Sequence, residues 1–447
     1  MASERAPTRS LFPRLPGGPS GMAPEVVARH QRGRLEGAMV EAVARHGFAG
    51  VTLRELVSLA GISKSTFYEH FESKQDCFFS TFDEISRLTL ERVSEAYRVG
   101  DSFREKQVSG LSTFMRMAAE EPAAASLAAV ESLTLGTAGV AHRERASESF
   151  ERMMRRSFEE GAGREVSALT VRAIASGIQG VMYRRLRAGR SEELPGVVET
   201  LVDWGTHYLQ PDGEHVLRAA EASLRPSVER AAAEGDGEPV PGWGEPPDSR
   251  RSRRALSQRK RIVRAAARVV AERGYEALSI PAISAAAGVS NQTFYEHFHS
   301  KRDAFIAAFE LLTAEVLDAA REAFEAEGDR VEAIGAGLRA MLDEIVRNEL
   351  FARLAFFELP TAGPAALDRA DAIMDAITSY LQPGIAPREL GGPLPRAVLE
   401  AISAGIWATI QHEIAHGRRI ALPQLAPDIV RLSLAPFAPP PIASPKP

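Results

Sequence analysis

Apolar positions along this chain recur at intervals of three and four residues, not two. Phe78, Phe79, Phe82 and Ile85 fall on helical rows, as do Phe305, Phe309 and Leu312. Alternating apolar/polar runs bounded by hairpin dipeptides are absent, so the pattern predicts an all-α fold. Near the N-terminus it predicts a long amphipathic helix from Glu25 to His46, ended by Gly47. Thr52 is placed to cap a short helix through Leu59, because its hydroxyl can accept from the unpaired N–H groups of the first turn. Ala60-Gly61 then forms a tight turn, Ser63 caps a second short helix to Phe71, and Ser73 caps a long fourth one. Two short helices joined by a glycine-containing turn are the signature of a helix-turn-helix.

The same pattern occurs twice. Gly61-Ile-Ser-Lys-Ser-Thr-Phe-Tyr-Glu-His-Phe-Glu-Ser-Lys74 recurs as Gly288-Val-Ser-Asn-Gln-Thr-Phe-Tyr-Glu-His-Phe-His-Ser-Lys301, an offset of 227 residues. Residues 34–78 and 261–305 share 18 identities in 45 gap-free positions. Far downstream, Ala173-Ile-Ala-Ser-Gly-Ile178 answers Ala401-Ile-Ser-Ala-Gly-Ile406, now at an offset of 228. Two anchors at nearly one offset imply duplication of a whole unit. Between the copies, residues 211–250 are rich in proline and glycine and read as a linker, with a short helix expected around His215 to Ala233. Residues 1–24 read as a disordered arm and 437–447 as a disordered proline-rich tail.

Within the second short helix, Phe67 and Phe71 share the inward face, while Ser65, Thr66, Tyr68 and Glu69 point away. Such a helix suits the major groove: its first residues reach base edges, and its hydroxyls and N-terminal amides reach phosphates. For one isolated copy, ordinary core packing explains Thr-Phe-Tyr-x-x-Phe better. Here the exposed Thr-x-Tyr-x-His is kept in both copies while flanking core positions change, as at Leu56/Ile283 and Val51/Leu278, and that reverses the balance. Lys74 opens a helix, where a cation is electrostatically misplaced, so a phosphate partner is expected for it.

Composition narrows the class. The chain has 447 residues, 45% hydrophobic and 25% charged, which fits globular domains and excludes wholesale disorder. No run approaches the ~20 apolar residues of a membrane span, so no membrane partner is expected. The first 24 residues lack the apolar segment of a secretory leader, and Cys77, the sole cysteine, cannot form an internal disulfide. Both point to the cytoplasm. Net charge is −5, yet residues 250–305 hold 12 Lys+Arg against 4 Asp+Glu, and residues 1–78 hold 10 against 8. Positive charge thus sits with the helix-turn-helix units, where counterion release from DNA would use it. Arg250 to Arg254 reads either as a solvated linker end or as a basic arm reaching phosphates or the minor groove.

Gly47-Phe48, Thr52, Leu56, Ala60-Gly-Ile-Ser63, Thr66-Phe-Tyr-x-His-Phe71 and Lys74 resemble the DNA-binding domain of tetracycline-repressor-like (TetR/AcrR) transcriptional regulators. So do Gly274-Tyr275, Ser279, Ile283, Ala287-Gly-Val-Ser290, Thr293-Phe-Tyr-x-His-Phe298 and Lys301. The resemblance implies two tandem units, each a three-helix helix-turn-helix domain (25–78 and 251–305) followed by a helical regulatory domain (79–210 and 306–436). It implies DNA-backbone contacts by Thr66, Tyr68, His70 and Lys74, and by Thr293, Tyr295, His297 and Lys301, with Thr52, Ser63, Ser279 and Ser290 at the capping positions beside them. Lys64-Ser65 and Asn291-Gln292 would face bases, and Arg54 would reach DNA where the other copy has Pro281. It further implies a repressor released by a small apolar or amphipathic effector, without cofactor or catalytic residues. The two units are expected to pair in cis as a pseudo-dimer through helices at about 165–188 with 195–209 and 394–416 with 423–435, where Ala175, Gly177, Gly180, Ala401, Ala404, Gly405 and Ala408 permit close approach. A further homodimer stays open. Candidate pocket residues are Phe114, Met115, Met117 and Leu133 in one unit, and Phe351, Phe356 and Phe357 in the other.

Two rivals compete. A nonspecific architectural DNA-binding protein would carry a longer exposed basic surface than 250–261 provides. His412-Glu413-Ile-Ala-His416 matches the H-E-x-x-H of zinc peptidases, but residues 417–447 contain no Glu, His or Cys to complete a catalytic set, and the aligned residues of the other copy are Arg184, Arg185 and Ala188. A structural or sensory metal site at His412-Glu413-x-x-His416 is the remaining alternative, and no metal is expected.

Overall fold

The computed structural model describes residues 23–163, 165–208, 250–328, 330–380 and 394–437. The N-terminal arm up to residue 22, the linker with its expected helix at His215 to Ala233, and the tail from 438 lie outside the described residues.

All regular structure among the described residues is helical. The first copy runs α1 (Pro24–Gly50), α2 (Leu53–Ala60), α3 (Lys64–His70), α4 (Lys74–Tyr97), α5 (Phe103–Glu120), α6 (Pro122–Ala129), α7 (Gly136–Ala162), α8 (Ala168–Arg187) and α9 (Val198–His207). The second runs α10 (Arg250–Arg273), α11 (Ile280–Ala287), α12 (Asn291–His297), α13 (Lys301–Glu325), α14 (Arg330–Arg347), α15 (Glu349–Arg353), α16 (Pro364–Tyr380), α17 (Arg396–Ala415) and α18 (Ala426–Leu434). From α2 through α6, every helix start recurs 227 residues later; α8 and α9 recur 228 residues later. The duplication read from two anchors therefore holds element by element.

Local chemistry sets these boundaries. Thr52 and Ser63 cap α2 and α3 by accepting from Glu55 N and Thr66 N, and Ser279 and Ser290 do the same for α11 and α12. Gly61 (φ 61°) and Gly288 (φ 60°) turn the chain between the two short helices in the left-handed region, where a Cβ is unfavourable. Gly47, at φ 66°, breaks α1 near its end, as expected. Arg250 to Arg254 belongs to α10, so this run is the start of a helix and not a linker end.

In each copy the three-helix domain is continuous with the helices behind it. Leu35, Met39, Leu56, Phe67, Phe71 and Phe78 form a buried core that also takes in Ala124 and Leu127 of α6. The boundaries expected at 78/79 and 305/306 fall inside α4 and α13, so one rigid rod joins each DNA-binding domain to its regulatory domain. The most apolar stretch, beginning at Pro122, approaches membrane-span composition. It is two helices, separated by a 3-10 turn at Glu131–Leu135 and by Gly136 at φ 58°.

By compactness the chain divides into one unit of 1–171 with 178–205, and a second of 172–177 with 206–447.

Candidate nucleic-acid interface

The residues of α3 and its C-cap Phe71 divide between core and surface. Phe67 and Phe71 are buried, whereas Lys64, Ser65, Tyr68 and Glu69 are exposed and Thr66 is half-buried. Tyr68 is 53% exposed, uncommon for so large an apolar ring, and Lys64 Nζ lies 5.9 Å from its centroid. Ser63 Oγ, besides capping, lies 2.7 Å from Ser65 Oγ and 2.9 Å from Thr66 Oγ1, so these hydroxyls form one cluster at the helix start.

The second copy repeats this arrangement. Phe294 and Phe298 are buried, Tyr295 is 57% exposed, Asn291 and Gln292 are exposed, and Ser290 Oγ lies 3.0 Å from Thr293 Oγ1. Arg54 is exposed in the first turn of α2, where α11 has Pro281 instead.

Other expected contacts are turned inward. His70 Nε2 lies 3.0 Å from Gln31 Oε1, tying the end of α3 to α1. The aligned His297 has its Nε2 buried without a hydrogen-bond partner; desolvation, then the nearby Arg259, hold its pKa below the usual histidine range. Lys74 Nζ donates to the carbonyls of Val51 (3.0 Å) and Phe48 (3.3 Å) and sits 4.6 Å from the Phe48 ring centroid. Lys301 donates to Leu278 O at 2.8 Å and sits 4.9 Å from the Tyr275 ring centroid. These carbonyls and aromatic faces answer the misplaced cation at the helix start without any ligand.

Two further pairs, not recognised in the sequence, hold the units together. Arg34 Nη2 donates to Gly61 O at 2.9 Å, and Arg261 Nη2 to Gly288 O at 2.8 Å, clamping the turn of each helix-turn-helix to the preceding long helix. Glu131 Oε2 accepts from Phe48 N, and Glu358 Oε2 from Tyr275 N, both at 2.9 Å. Thr134 and Thr361 donate to the carbonyls of those glutamates at 2.7 and 2.6 Å, and Gly136 and Gly363 follow at positive φ. Glu-x-x-Thr-x-Gly thus recurs at the offset of 227, and that repetition was the available signal.

The family model for bacterial regulatory proteins of the tetR family matches residues 37–81 and 262–308. Both copies thus carry a DNA-binding region of the tetR type. The HTH-type transcriptional activator FasR of Mycolicibacterium smegmatis (strain ATCC 700084 / mc(2)155) is 30% identical over 126 residues, 28% of this chain. That match spans about half, 56%, of the curated relative's own length. Similar solved structures include a TetR family transcription regulator from Marinobacter aquaeolei VT8 (21% identity, 41% of this chain and 98% of that one, TM-score 0.32). Another is the transcriptional regulator FadR from Bacillus subtilis in complex with stearoyl-CoA (18% identity, 38% and 96%, TM-score 0.36).

Behind its DNA-binding domain, the first unit contains a cavity of about 390 Å³, within the range of small-molecule sites. Phe82, Ile85, Phe114, Met117, Phe150 and Met182 give it apolar walls. Of the pocket residues expected here, Phe114 and Met117 line it, whereas Met115 is packed in the core. Arg143 also lines it, donating to Ala129 O at 2.7 Å, and among the described residues no carboxylate pairs with it. Burial pushes its pKa below the usual arginine value.

In the second unit, Glu413 of the H-E-x-x-H sequence is held by Arg418 at 2.7 and 3.0 Å. That pairing lowers its pKa and takes up the carboxylate that a peptidase would need as base.

Proposed function

We propose that the protein is a sequence-specific DNA-binding transcriptional regulator, acting as an intramolecular pseudo-dimer on an asymmetric operator and responding to a small amphipathic effector. The observation that carries the reading is the pair α3 and α12. Each presents an exposed tyrosine beside a half-buried threonine on a buried aromatic base, while their first turns differ as Lys64-Ser65 and Asn291-Gln292. In this reading Thr66, Tyr68, Thr293 and Tyr295 contact the DNA backbone, and the first-turn pairs and Arg54 read bases. The capping residues Thr52, Ser63, Ser279 and Ser290 set the helix starts that present them. His70 acts from behind by tying the end of α3 to α1. Lys74 and Lys301 brace the loops and offer their remaining N–H groups to phosphates.

Pairing in cis is supported by the small residues of α8 and α17. A solution mass of one 48.4 kDa chain at DNA-binding concentrations supports the monomer, and a stable dimer overturns it.

The apolar cavity ending in a desolvated arginine suits a molecule with a hydrocarbon body and an anionic head. The family resemblance implies repression, whereas the curated relative is named an activator; a promoter-reporter assay sets the sign. Selection of bound sequences from random DNA, with and without amphiphiles, tests the whole reading. Recovery of no preferred sequence would return the protein to nonspecific DNA binding.

A further inference from the structure

We infer that the effector acts through the first unit alone, because the second unit's counterpart of the cavity is filled by its own aromatic side chains. The inference rests on reading the first unit's cavity as the effector site. At the offset of 227, Ala124 and Ala129 of the first cavity become Phe351 and Phe356; at 228, Gln179 becomes Trp407. Phe351 and Phe356 are 4% and 2% exposed. The Phe356 ring centroid lies 4.1 Å from Trp407, and 6.3 Å from Phe351 in an edge-to-face contact. Gln411 Nε2 donates to Phe356 O at 2.6 Å, fixing this backbone in place.

Three small or slender side chains have thus become three large rings, with Phe356 packed against the other two, at positions that line the open cavity in the first unit. The cation is lost as well, since Ala370 stands where the first unit has Arg143. Space and head-group cation are thus lost together at this position, and the second unit's own cavity, about 430 Å³, lies elsewhere, against Arg261, Arg264 and Arg268 of α10 and Ala286 and Ala287 of α11.

The closed site adjoins a latch. Phe356 lies two residues before Glu358, whose carboxylate holds Tyr275 N. In the first unit the matching carbonyl, Ala129 O, is held by Arg143, the side chain an anionic ligand would engage. An occupant of the first cavity can therefore draw Arg143 away and loosen the segment carrying Glu131. The second unit lacks that handle, and its DNA-binding domain acts as a constant anchor.

Calorimetric and fluorescence titration of the full chain with dodecanoate and with 8-anilinonaphthalene-1-sulfonate, an anionic apolar fluorophore, tests this. Wild-type protein should take one equivalent of probe per chain. The variant A129F/Q179W, which copies the second unit's filling into the first, should lose at least tenfold in affinity while retaining helicity and DNA binding. Arg143→Ala should weaken both anionic probes yet leave dodecanol binding within a few-fold, which separates loss of the head-group contact from collapse of the cavity. F356A/W407Q, which opens the space without restoring the arginine, should take a second equivalent of dodecanol. Two equivalents bound by wild type, or one equivalent that survives A129F/Q179W, overturns the single-site inference. Failure of wild type to take any probe overturns the effector reading itself, and this inference with it.

Discussion

The carboxylate of Glu131 and the backbone N–H of Phe48 are 83 residues apart in sequence and 2.9 Å apart in space. Glu358 and Tyr275 stand in the same relationship, with the same separation and the same distance. Each bond crosses from the first turn after α6, or after the corresponding α15 segment, to the loop that positions the helix-turn-helix. Gly47 and Gly274 precede the bonded residues at φ 66° and 80°, turning the backbone so that the N–H meets the carboxylate.

Removing it should loosen that loop. Glu131→Ala is expected to cost about 1.5–3 kcal/mol or somewhat less, the range for a hydrogen bond to a charged acceptor, here half-buried. Glu131→Gln, which keeps an acceptor oxygen, should lose less. Denaturant midpoints and amide exchange at Phe48 check this; unchanged protection at Phe48 in the alanine variant would remove the bond from the coupling.

Lys74→Ala and Lys301→Ala should each lower stability, because the carbonyls of Val51 and Leu278 lose their donor. If the remaining N–H groups also meet phosphates, each variant reduces the salt slope of DNA binding by about 0.9. A brace alone lowers stability and leaves the slope intact. Affinity measured across a salt series distinguishes the two.

His297 ties stability to pH with a definite sign. Its folded pKa is depressed, so between that value and the ordinary ~6.5 the unfolded chain binds more protons than the folded one. Stability should therefore be full above about pH 7 and fall as pH drops through 6.5. Among the charged groups, Arg259 adds to the depression and Glu296 opposes it. His297→Gln should flatten the dependence between pH 7 and 5, read from the denaturation midpoint at each pH. An unaltered pH profile would mean that the imidazole titrates freely.

Grafting Asn-Gln onto positions 64 and 65 should shift base preference in one half-site only, toward the sequence of the other. Lysine favours guanine O6 and N7, whereas Asn and Gln pair bidentately with adenine, each worth ~1–3 kcal/mol of discrimination. Half-site spacing should stay at about one helical turn, because the shared tyrosine and threonine positions are untouched. Selection of a perfect palindrome by the wild type would show that these pairs do not read bases.

Fold class, duplication and the recognition helices were legible because they depend on local chemistry. Capping hydroxyls at Thr52, Ser63 and Ser73, left-handed glycines, and aromatic residues four apart act within one or two turns, so their spacing alone declares them. The first-turn pairs were legible for the same reason. What Lys74, His70 and His297 touch was not, since their partners lie 23 to 39 residues away or, for the buried His297 nitrogen, are absent. Spacing suggested a phosphate for Lys74; packing supplied carbonyls and a ring. The Glu131 and Glu358 bonds span 83 residues, and nothing in the local pattern aims a carboxylate at a distant N–H. Nor could composition tell an open cavity from a filled one, because Ala129 and Phe356 are both apolar residues on helical rows. Only the side-chain volume left once the helices meet decides whether this position is open or filled.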